Sequence, residues 1–334
     1  MRCTFLALVA LIACRDKAPG TPPPAPPPPP HDGATLIQPG TPPLQVLRYH
    51  LTKGSKTSSE LMCDVDVKND QQVGAMPTLI VELETTVEDV LTDGSAKLRI
   101  AVIGTGVRDR QGVEVASDVV QAQAAALRGV VIAQTLAPDG AVSDSHVIAP
   151  GASPGTSGAS EPAGSQLDHV LRSLERVAMR LPAEPVGAGA TWRERRTLPE
   201  GGIRAVAEIT YTLASLTGTS LGYTSTGQLA GSPETIEQDG VKVEVAGTHG
   251  RSDVRGSVDL SSYAIEATAT STFASTMTVV APDAGPGAER STVEIAMTIR
   301  LLPVATPPRA AAPPGAPRAP ASAAPPAQGA HSAP

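Results

Sequence analysis

Apolar and polar residues alternate along many stretches of the chain, and this period of two predicts β-strands with one buried face. Leu61, Cys63, Val65 and Val67 form one such alternation. The pattern turns the Cys63 side chain towards the interior, where a cysteine acts as a small core residue rather than as a reactive thiol. A half-buried strand is therefore expected near the start of the folded body.

The pair Asp93-Gly94 lies between two alternating stretches and predicts a β-hairpin, because this dipeptide favours the backbone of a tight turn. A two-residue turn at this position would set Val87 opposite Ile100 and Glu88 opposite Arg99. Both pairs are favourable across strands, one being apolar and the other of opposite charge. The register of this hairpin is thus predicted together with its turn.

Two further Asp-Gly pairs predict two further hairpins. Asp139-Gly140 lies between strands expected at residues 130–136 and 141–148, and Asp239-Gly240 marks the other turn. The pattern over residues 190–302 is almost entirely that of strands. We therefore expect the second half of the chain to be nearly all β.

Two stretches follow a helical period instead. Residues 166–181 begin after Ser165 and end before Pro182, which predicts an amphipathic helix with clear boundaries. A shorter helix is predicted over residues 118–128, with Ser117 as its N-terminal cap. The apolar positions of the longer helix are Leu167, Val170, Leu171, Leu174, Val177, Ala178 and Leu181.

These elements predict a mainly β (α+β) fold, with antiparallel, curved sheets built from hairpins and two helices. Residues 149–165 are rich in glycine, proline and serine, which is typical of a loop. This loop lies between residues 44–148 and residues 166–302. We expect either one domain or two halves that the loop divides.

The 33 prolines are unevenly distributed and indicate where the body begins and ends. Residues 15–43 hold 12 of them and residues 303–334 hold 10, which leaves 11 for the 259 residues between. Segments with so much proline bury too little apolar surface to fold. We therefore expect a proline-rich linker over residues 14–43, a folded body over residues 44–302 and a disordered Ala/Pro-rich tail over residues 303–334.

The first fourteen residues have the pattern of a short secretory signal peptide. Arg2 is followed by nine apolar residues, Phe5 to Ala13, and then by Cys14. Nine apolar residues are too few to span a bilayer, which takes about 20. An ordinary secreted protein is the alternative, but its small-x-small cleavage site would need a small residue at Leu11.

The motif Leu11-Ile12-Ala13-Cys14 resembles the lipobox of bacterial lipoproteins. The resemblance implies that residues 1–13 are removed, that the Cys14 thiol receives a diacylglycerol and that its new amino terminus is acylated. Several acyl chains on one residue hold a protein stably on a membrane, whereas one chain does so only marginally. Arg15, in place of an aspartate, is similar to an outer-membrane address in didermal bacteria.

Composition narrows the choice of partners. The predicted body carries 21 lysine and arginine residues against 31 aspartate and glutamate residues, so clustered basic side chains for phosphate binding are not expected and nucleic acid is not a predicted partner. Trp192, Phe273 and four tyrosines are too few aromatic residues for stacking platforms. With Cys3 and Cys14 in the N-terminal segment, Cys63 has no partner for an internal disulfide.

One stretch matches a catalytic motif. Gly151 to Gly155 fits G-x-S-x-G around Ser153, and Asp168 and His169 follow in the order of a catalytic triad. A nucleophile elbow needs a strand before the serine and a helix directly after it, whereas Pro154 and a low-complexity loop surround Ser153. A linker is the favoured interpretation, and an envelope serine hydrolase that uses Ser153 is the alternative function, which Ser153→Ala would test in an esterase screen.

No metal or cofactor site is predicted. The six histidines are dispersed and show no ligand spacing. Asp64 and Asp66 share one strand face, but Lys68 and a missing glycine break the pattern of a calcium loop. Residues 104–106 lack the third glycine of a dinucleotide-binding loop and are interpreted as a turn.

The stretch from Leu181 to Trp192 has the sequence LPAEPVGAGATW. It resembles the LP-x-x-P-V-x-x-G-x-x-W segment of uncharacterised bacterial envelope lipoproteins, whose bodies also begin with a strand like residues 47–51. The resemblance covers most of residues 44–302 and implies no known activity. Trp192 is expected to pin the predicted helix to the sheet, because a tryptophan buries a large area, and ligand stacking is the alternative.

The sequence therefore predicts a lipid-anchored lipoprotein of the cell envelope, in the outer membrane, with a non-enzymatic binding or scaffold role. Cys14 is the predicted lipidation site, and no cofactor is expected. A curved sheet covered by a helix is weakly similar to lipid-carrying lipoproteins, which implies a hydrophobic ligand. An envelope protein partner is the other choice that the sequence leaves open.

Overall fold

A computed structural model describes the folded body in seven ranges. All of them belong to one compact unit. They contain sixteen strands and one helix, and all pairs between these strands are antiparallel, which confirms a mainly β antiparallel fold. The ranges are residues 33–69, 73–113, 117–148, 179–200, 203–238, 241–280 and 289–304.

The elements are named in chain order. The first eight strands are β1 (Ala34–Gln38), β2 (Thr41–Gln45), β3 (Lys56–Asn69), β4 (Val73–Ala75), β5 (Thr78–Val90), β6 (Ala96–Arg108), β7 (Val131–Leu136) and β8 (Val142–Ile148). The remaining strands are β9 (Val186–Ala188), β10 (Thr191–Glu200), β11 (Ile203–Thr217), β12 (Ser220–Gly231), β13 (Glu234–Gln238), β14 (Val241–Asp259), β15 (Ala264–Val280) and β16 (Glu289–Val304). The helix is α1 (Ser117–Leu127), between β6 and β7.

Fourteen strands form one sheet, and β2 and β9 form a separate pair. Most neighbours in the sheet are also neighbours in sequence, as expected for hairpins. Two pairings join strands that are far apart in sequence: β1 with β10, and β16 with β3, which sets Leu301 beside Leu61. Strands from residues 44–148 and from residues 166–302 therefore share one sheet. The order across this sheet is β1-β10-β11-β12-β14-β15-β16-β3-β5-β6-β7-β8, with β4 on β3 and β13 on β14.

The hairpin at Asp93-Gly94 forms, but its predicted register is wrong by two residues. Val87 pairs with Leu98, not with Ile100. The turn is longer than two residues, because the Leu91 amide donates to the Ser95 carbonyl and Asp93 accepts from the Ser95 amide at 2.9 Å. The shift is even, so each side chain keeps its predicted face.

The predicted helix over residues 118–128 agrees with α1 to within one residue at each end. Residues 166–178 of the longer predicted helix lie outside the described residues. Its last three predicted positions, Met179 to Leu181, are not helical. Within the described ranges, no helix is long and apolar enough to cross a membrane.

The folded body begins before residue 44, where the sequence predicted a linker. Strand β1 pairs with β10, with Leu36 beside Trp192, and β2 pairs with β9. Gly40, between β1 and β2, allows the chain to lie this close to β9. Its φ is 81°, and a Cβ there would clash with the Gly187 carbonyl oxygen. Three prolines in this stretch, at positions 39, 42 and 43, hid two short strands from an argument based on composition.

One face of the sheet carries the core, and we call it the inner face. It includes Leu61, Val81, Trp192, Tyr211 and Tyr223, all of them buried. Their register neighbours on adjacent strands point the same way, as the alternation along each strand requires. Two segments without strand structure add buried side chains to this core: Leu47, Tyr49 and Leu51 from the first, and Met179 and Leu181 from the second.

Candidate functional site

A buried ion pair lies on the inner face of β10. Glu194 and Arg196 are two residues apart on this strand and therefore point the same way. Arg196 donates to Glu194 through Nε and through Nη2, the latter at 2.9 Å from Oε2. The Glu194 side chain is only 3% exposed and that of Arg196 15%. Buried charges need close partners of opposite sign. Here the two N–H groups of the Arg196 guanidinium bind the two oxygens of the Glu194 carboxylate.

Tyr211 of β11 completes the surroundings of Glu194. Its hydroxyl donates to Glu194 Oε2 at 3.0 Å, so the carboxylate accepts from two neighbouring side chains. Burial alone would lower the pKa of Arg196, but Tyr211 and Glu194 hold that pKa above its ordinary value. The arginine therefore stays charged at every pH at which the protein is folded.

Trp192, on β10 like Glu194 and Arg196, packs against Tyr211. Its ring stacks on Tyr211, with centroids 5.4 Å apart and planes 16° from parallel, and Tyr223 lies on the other side of Tyr211 at 6.2 Å. The Trp192 indole Nε1 donates to the Arg180 carbonyl oxygen at 2.8 Å. Trp192 thus holds the non-helical segment before β9 against the sheet, whereas residues 166–178 of the helix that it was expected to pin lie outside the described residues.

All four tyrosines of the chain lie in the core, and burial is the main cause that raises the pKa of each one. The pKa of Tyr223 and of Tyr263 is raised to about 12. Tyr49 and Tyr263 also lie close together, with ring centroids 5.9 Å apart. None of these hydroxyls is a ready proton donor or acceptor near neutral pH.

We expect the protein to lose stability in alkali as its tyrosines ionise. The folded state keeps tyrosine protons that the unfolded chain releases near pH ~10, so unfolding becomes easier as the pH rises above that value. The free energy of unfolding should fall by about 1.4 kcal/mol per pH unit for each tyrosine. Difference absorbance of tyrosinate, followed against pH, should show one late and steep transition that coincides with loss of circular dichroism. Tyrosines that titrate near pH ~10 while the fold stays intact would contradict their burial.

A small cavity of about 30 Å³ lies on the inner face beside this core. Thr57, Ser59, Thr85 and Tyr263 line part of it. Its volume is enough for one or two water molecules. It is far below the roughly 300–1,000 Å³ of pockets that hold small-molecule ligands. This cavity therefore has no room for an acyl chain.

The inner face continues beyond the core towards the far ends of the long strands. There it is mostly apolar and half buried, with Ser271 and Ser275 of β15 between the apolar residues, while the opposite face carries exposed polar residues such as Lys68, Thr270 and Arg300. The strands β3, β15 and β16 lie side by side in this part of the sheet. We call this the apolar strip, and its residues are Cys63, Val65, Val67, Phe273, Met277, Ile295, Met297 and Ile299.

Cys63 belongs to the apolar strip, as its predicted inward direction requires. Burial, and next the charge of Asp64, raise the pKa of the Cys63 thiol to about 11. At neutral pH nearly all of this thiol is protonated, and the protonated form is neither a nucleophile nor a metal ligand.

Asp64, Asp66 and Gly104, which were considered for calcium or dinucleotide binding, contact other residues of the sheet. Arg110 contacts Asp66 at 2.6 Å, and Thr78 donates to Asp64 at 2.5 Å. The described ranges contain no group of three or more potential ligands that could hold a metal ion. Residues 104–106 belong to β6, so their interpretation as a turn is wrong. Gly104 faces Glu82 across the strands, where a Cβ would clash with that carboxylate.

The remaining predicted site residues lie outside the described residues. These are the lipidation site Cys14 and the hydrolase candidates Ser153, Asp168 and His169. The sequence interpretation missed the pair of Glu194 and Arg196. The available signal was their spacing of two directly after Trp192, which places both charges on the face of the largest apolar side chain.

Comparison with known proteins adds no relative to this description. No protein-family model matches the chain, and no curated protein matches it either.

Proposed function

We propose that this protein is a lipid-anchored lipoprotein of the cell envelope, held at the outer membrane through Cys14. The observation that carries the proposal is the motif Leu11-Ile12-Ala13-Cys14 at the end of a nine-residue apolar run. Arg15, in place of an aspartate, supports the outer membrane as the address. Residues 19–30, of which nine are proline, support a spacer of about 37 Å between the anchor and the folded body.

Cys14→Ser should abolish acylation and release the protein from the membrane, because serine offers no thiol for the diacylglycerol. The measurement is incorporation of an alkyne-tagged palmitate into the full-length chain, together with fractionation of the envelope. Cys63→Ser is the matched control, since it removes a thiol of the body and should leave both readouts unchanged. Unchanged labelling and membrane association of Cys14→Ser would refute the anchor.

We propose a binding or scaffold role for the body rather than catalysis. The support is the apolar strip, which offers a hydrophobic ligand or an envelope protein a surface on three neighbouring strands that is apolar along β3 and β16 and interrupted by Ser271 and Ser275 on β15. The cavity beside the core is too small for such a ligand. A bound acyl chain would therefore lie along the strip, with its length parallel to β3, β15 and β16.

We further propose that the sheet is curved, with its inner face concave. Contacts between distant strands support this shape. The Leu181 amide donates to the Asp139 carbonyl at 2.8 Å in the β7–β8 turn, while the Arg180 carbonyl accepts from Trp192 of β10. Strand β7 is eleventh and β10 second in the order of the sheet. At about 4.8 Å per strand, a flat sheet would hold these strands roughly 43 Å apart.

A further inference from the structure

The small cavity on the inner face has a partly polar lining. Four residues with hydroxyl groups, Thr57, Ser59, Thr85 and Tyr263, line it, and the other lining residues are aliphatic. The Thr57 hydroxyl donates to the Ser262 carbonyl oxygen at 2.8 Å, so its own oxygen can still accept a hydrogen bond. The cavity volume of about 30 Å³ suits one or two water molecules, or one polar group of that size at the end of a ligand.

A buried amide near this cavity has unused hydrogen-bonding groups. Gln134 of β7 is only 3% exposed, and its side chain lies beside the hydroxyl of Tyr263, which lines the cavity. Within the described ranges, neither the amide nitrogen nor the amide oxygen of Gln134 makes a hydrogen bond of ordinary geometry, and the buried hydroxyl of Ser55 makes none either. Buried polar groups in folded proteins nearly always bind protein, water or ligand atoms. These groups therefore favour a polar occupant at this end of the inner face.

The cavity adjoins one end of the apolar strip. Leu301 lines the cavity, and the next residue of β16 on the same face, Ile299, belongs to the strip. On β3, Ser59 lines the cavity and Cys63 begins the strip four residues later. From Ser59 to Val67, β3 is about 26 Å long at about 3.3 Å per residue. One acyl chain spans about 15 Å, half of the roughly 30 Å core of a bilayer, so this length accommodates a chain together with its polar end.

The lining of the cavity selects against a charged head group. All eight lining residues are uncharged. Arg196 acts electrostatically on Tyr263, but Glu194 binds its guanidinium through two hydrogen bonds and compensates its charge. An ionised carboxylate or phosphate in the cavity would be buried without a cation of its own, which is costly. A neutral hydroxyl can instead donate to one lining oxygen and accept from another.

We propose that the cavity and the apolar strip form one binding site for a single-chain amphiphile with a small, uncharged head, as in a long-chain alcohol. The hydroxyl of the ligand lies in the cavity, against Ser59 and Thr85. Its hydrocarbon chain follows β3 and β16 towards Val67. This inference rests on the proposed binding role of the strip, and it adds the position of the polar end, the direction of the chain and the absence of charge.

The thiol of Cys63 reports on occupation of this site, because it lies in the strip next to the cavity. The full-length chain in native membranes is equilibrated with dodecanol or dodecanoate at a known free concentration. It is then alkylated with iodoacetamide at about pH 9, where part of the thiol is ionised. Peptide mass spectrometry reads the label at position 63. Dodecanol should slow this alkylation, and dodecanoate should need a free concentration about ten-fold higher or more for the same protection.

Variants of the cavity test where the head group binds. Thr85→Val keeps the shape of the side chain but removes its hydroxyl, and it should raise the half-protecting concentration of dodecanol about three- to ten-fold. Ser59→Ala should act in the same direction and replaces Thr85→Val if that variant loses its native circular dichroism. Thr86→Val makes the same change on the opposite face of β5, so it is the matched control and should leave protection by dodecanol unchanged.

The outcomes separate this inference from the proposed role of the strip. Val65→Asn, within the strip, should weaken protection by both compounds, because both chains cross it. Equal protection by dodecanol and dodecanoate would overturn the uncharged head but leave the strip as a ligand surface. A preference for dodecanol that persists in Thr85→Val and in Ser59→Ala would overturn the cavity as the position of the head. No protection of Cys63 by either compound would overturn both this inference and the binding of hydrophobic ligands along the strip.

Discussion

Trp192→Ala is expected to lower the free energy of unfolding by about 3–5 kcal/mol. The side chain is completely buried, stacks on Tyr211 and donates to the Arg180 carbonyl. Its removal leaves a large cavity and an unpaired acceptor, which adds roughly 1–3 kcal/mol if that carbonyl stays buried. Because small domains are stable by only about 5–15 kcal/mol, this variant is expected to be partly unfolded at physiological temperature.

Urea unfolding followed by circular dichroism measures this effect, since the substitution removes the only tryptophan. Trp192→Phe separates the two causes, because it keeps a ring against Tyr211 but has no indole N–H. We expect the free energy of unfolding of Trp192→Phe to lie between those of the wild type and of Trp192→Ala. Arg193→Ala, at the exposed position next along β10, should change the free energy of unfolding by no more than about 0.5 kcal/mol. A loss below about 1 kcal/mol for Trp192→Ala would mean that this tryptophan does not anchor the core.

Glu194→Ala is expected to cost about 3–5 kcal/mol, because it takes the Glu194 carboxylate away from the buried Arg196 guanidinium. The Tyr211 hydroxyl loses its acceptor in the same change. Glu194→Gln should cost less, since its amide oxygen still accepts one of these bonds. The measurement is the midpoint of thermal or urea unfolding.

The control for this prediction is a second arginine–carboxylate pair with the same spacing along a strand. Arg251 contacts Asp253 at 3.1 Å, but both side chains are well exposed, at 69% and 49%. Asp253→Ala should therefore change stability by less than about 1 kcal/mol. Equal effects of Glu194→Ala and Asp253→Ala would show that burial does not set the strength of the inner pair.

The alternation of apolar residues predicted the strands well because burial on one face constrains every second position. The faces of Leu61, Cys63 and Val65 follow from this constraint alone. The register at Asp93-Gly94 did not, because side chains fix only whether a shift is odd or even, and the hydrogen bonds of the turn fix its size. Val87 could thus be assigned to the correct face but not to its partner.

The sequence pattern predicted neither the true start of the body nor the buried ion pair, for different reasons. Residues 34–45 are strands because β9 and β10 provide edges for them, and such long-range pairing leaves no local signal. Glu194 and Arg196 look like exposed charges in an arginine-rich stretch. Only the position of Tyr211 on the neighbouring strand reveals that they face the core. The pairing of β16 with β3 was unpredictable for the same reason.

The pairing of β16 with β3 makes completion of the sheet a late event in the synthesis of each chain. Leu301 meets Leu61 only after 240 further residues have been added to the chain. Until then β3 has no partner on one side, and a free edge of this length invites pairing with other chains. Such non-local contacts also form slowly, because a long loop must close first. Of the described strands, the last to be made is therefore the one that protects the nascent protein from aggregation, and a chain cut short before β16 should accumulate as insoluble material.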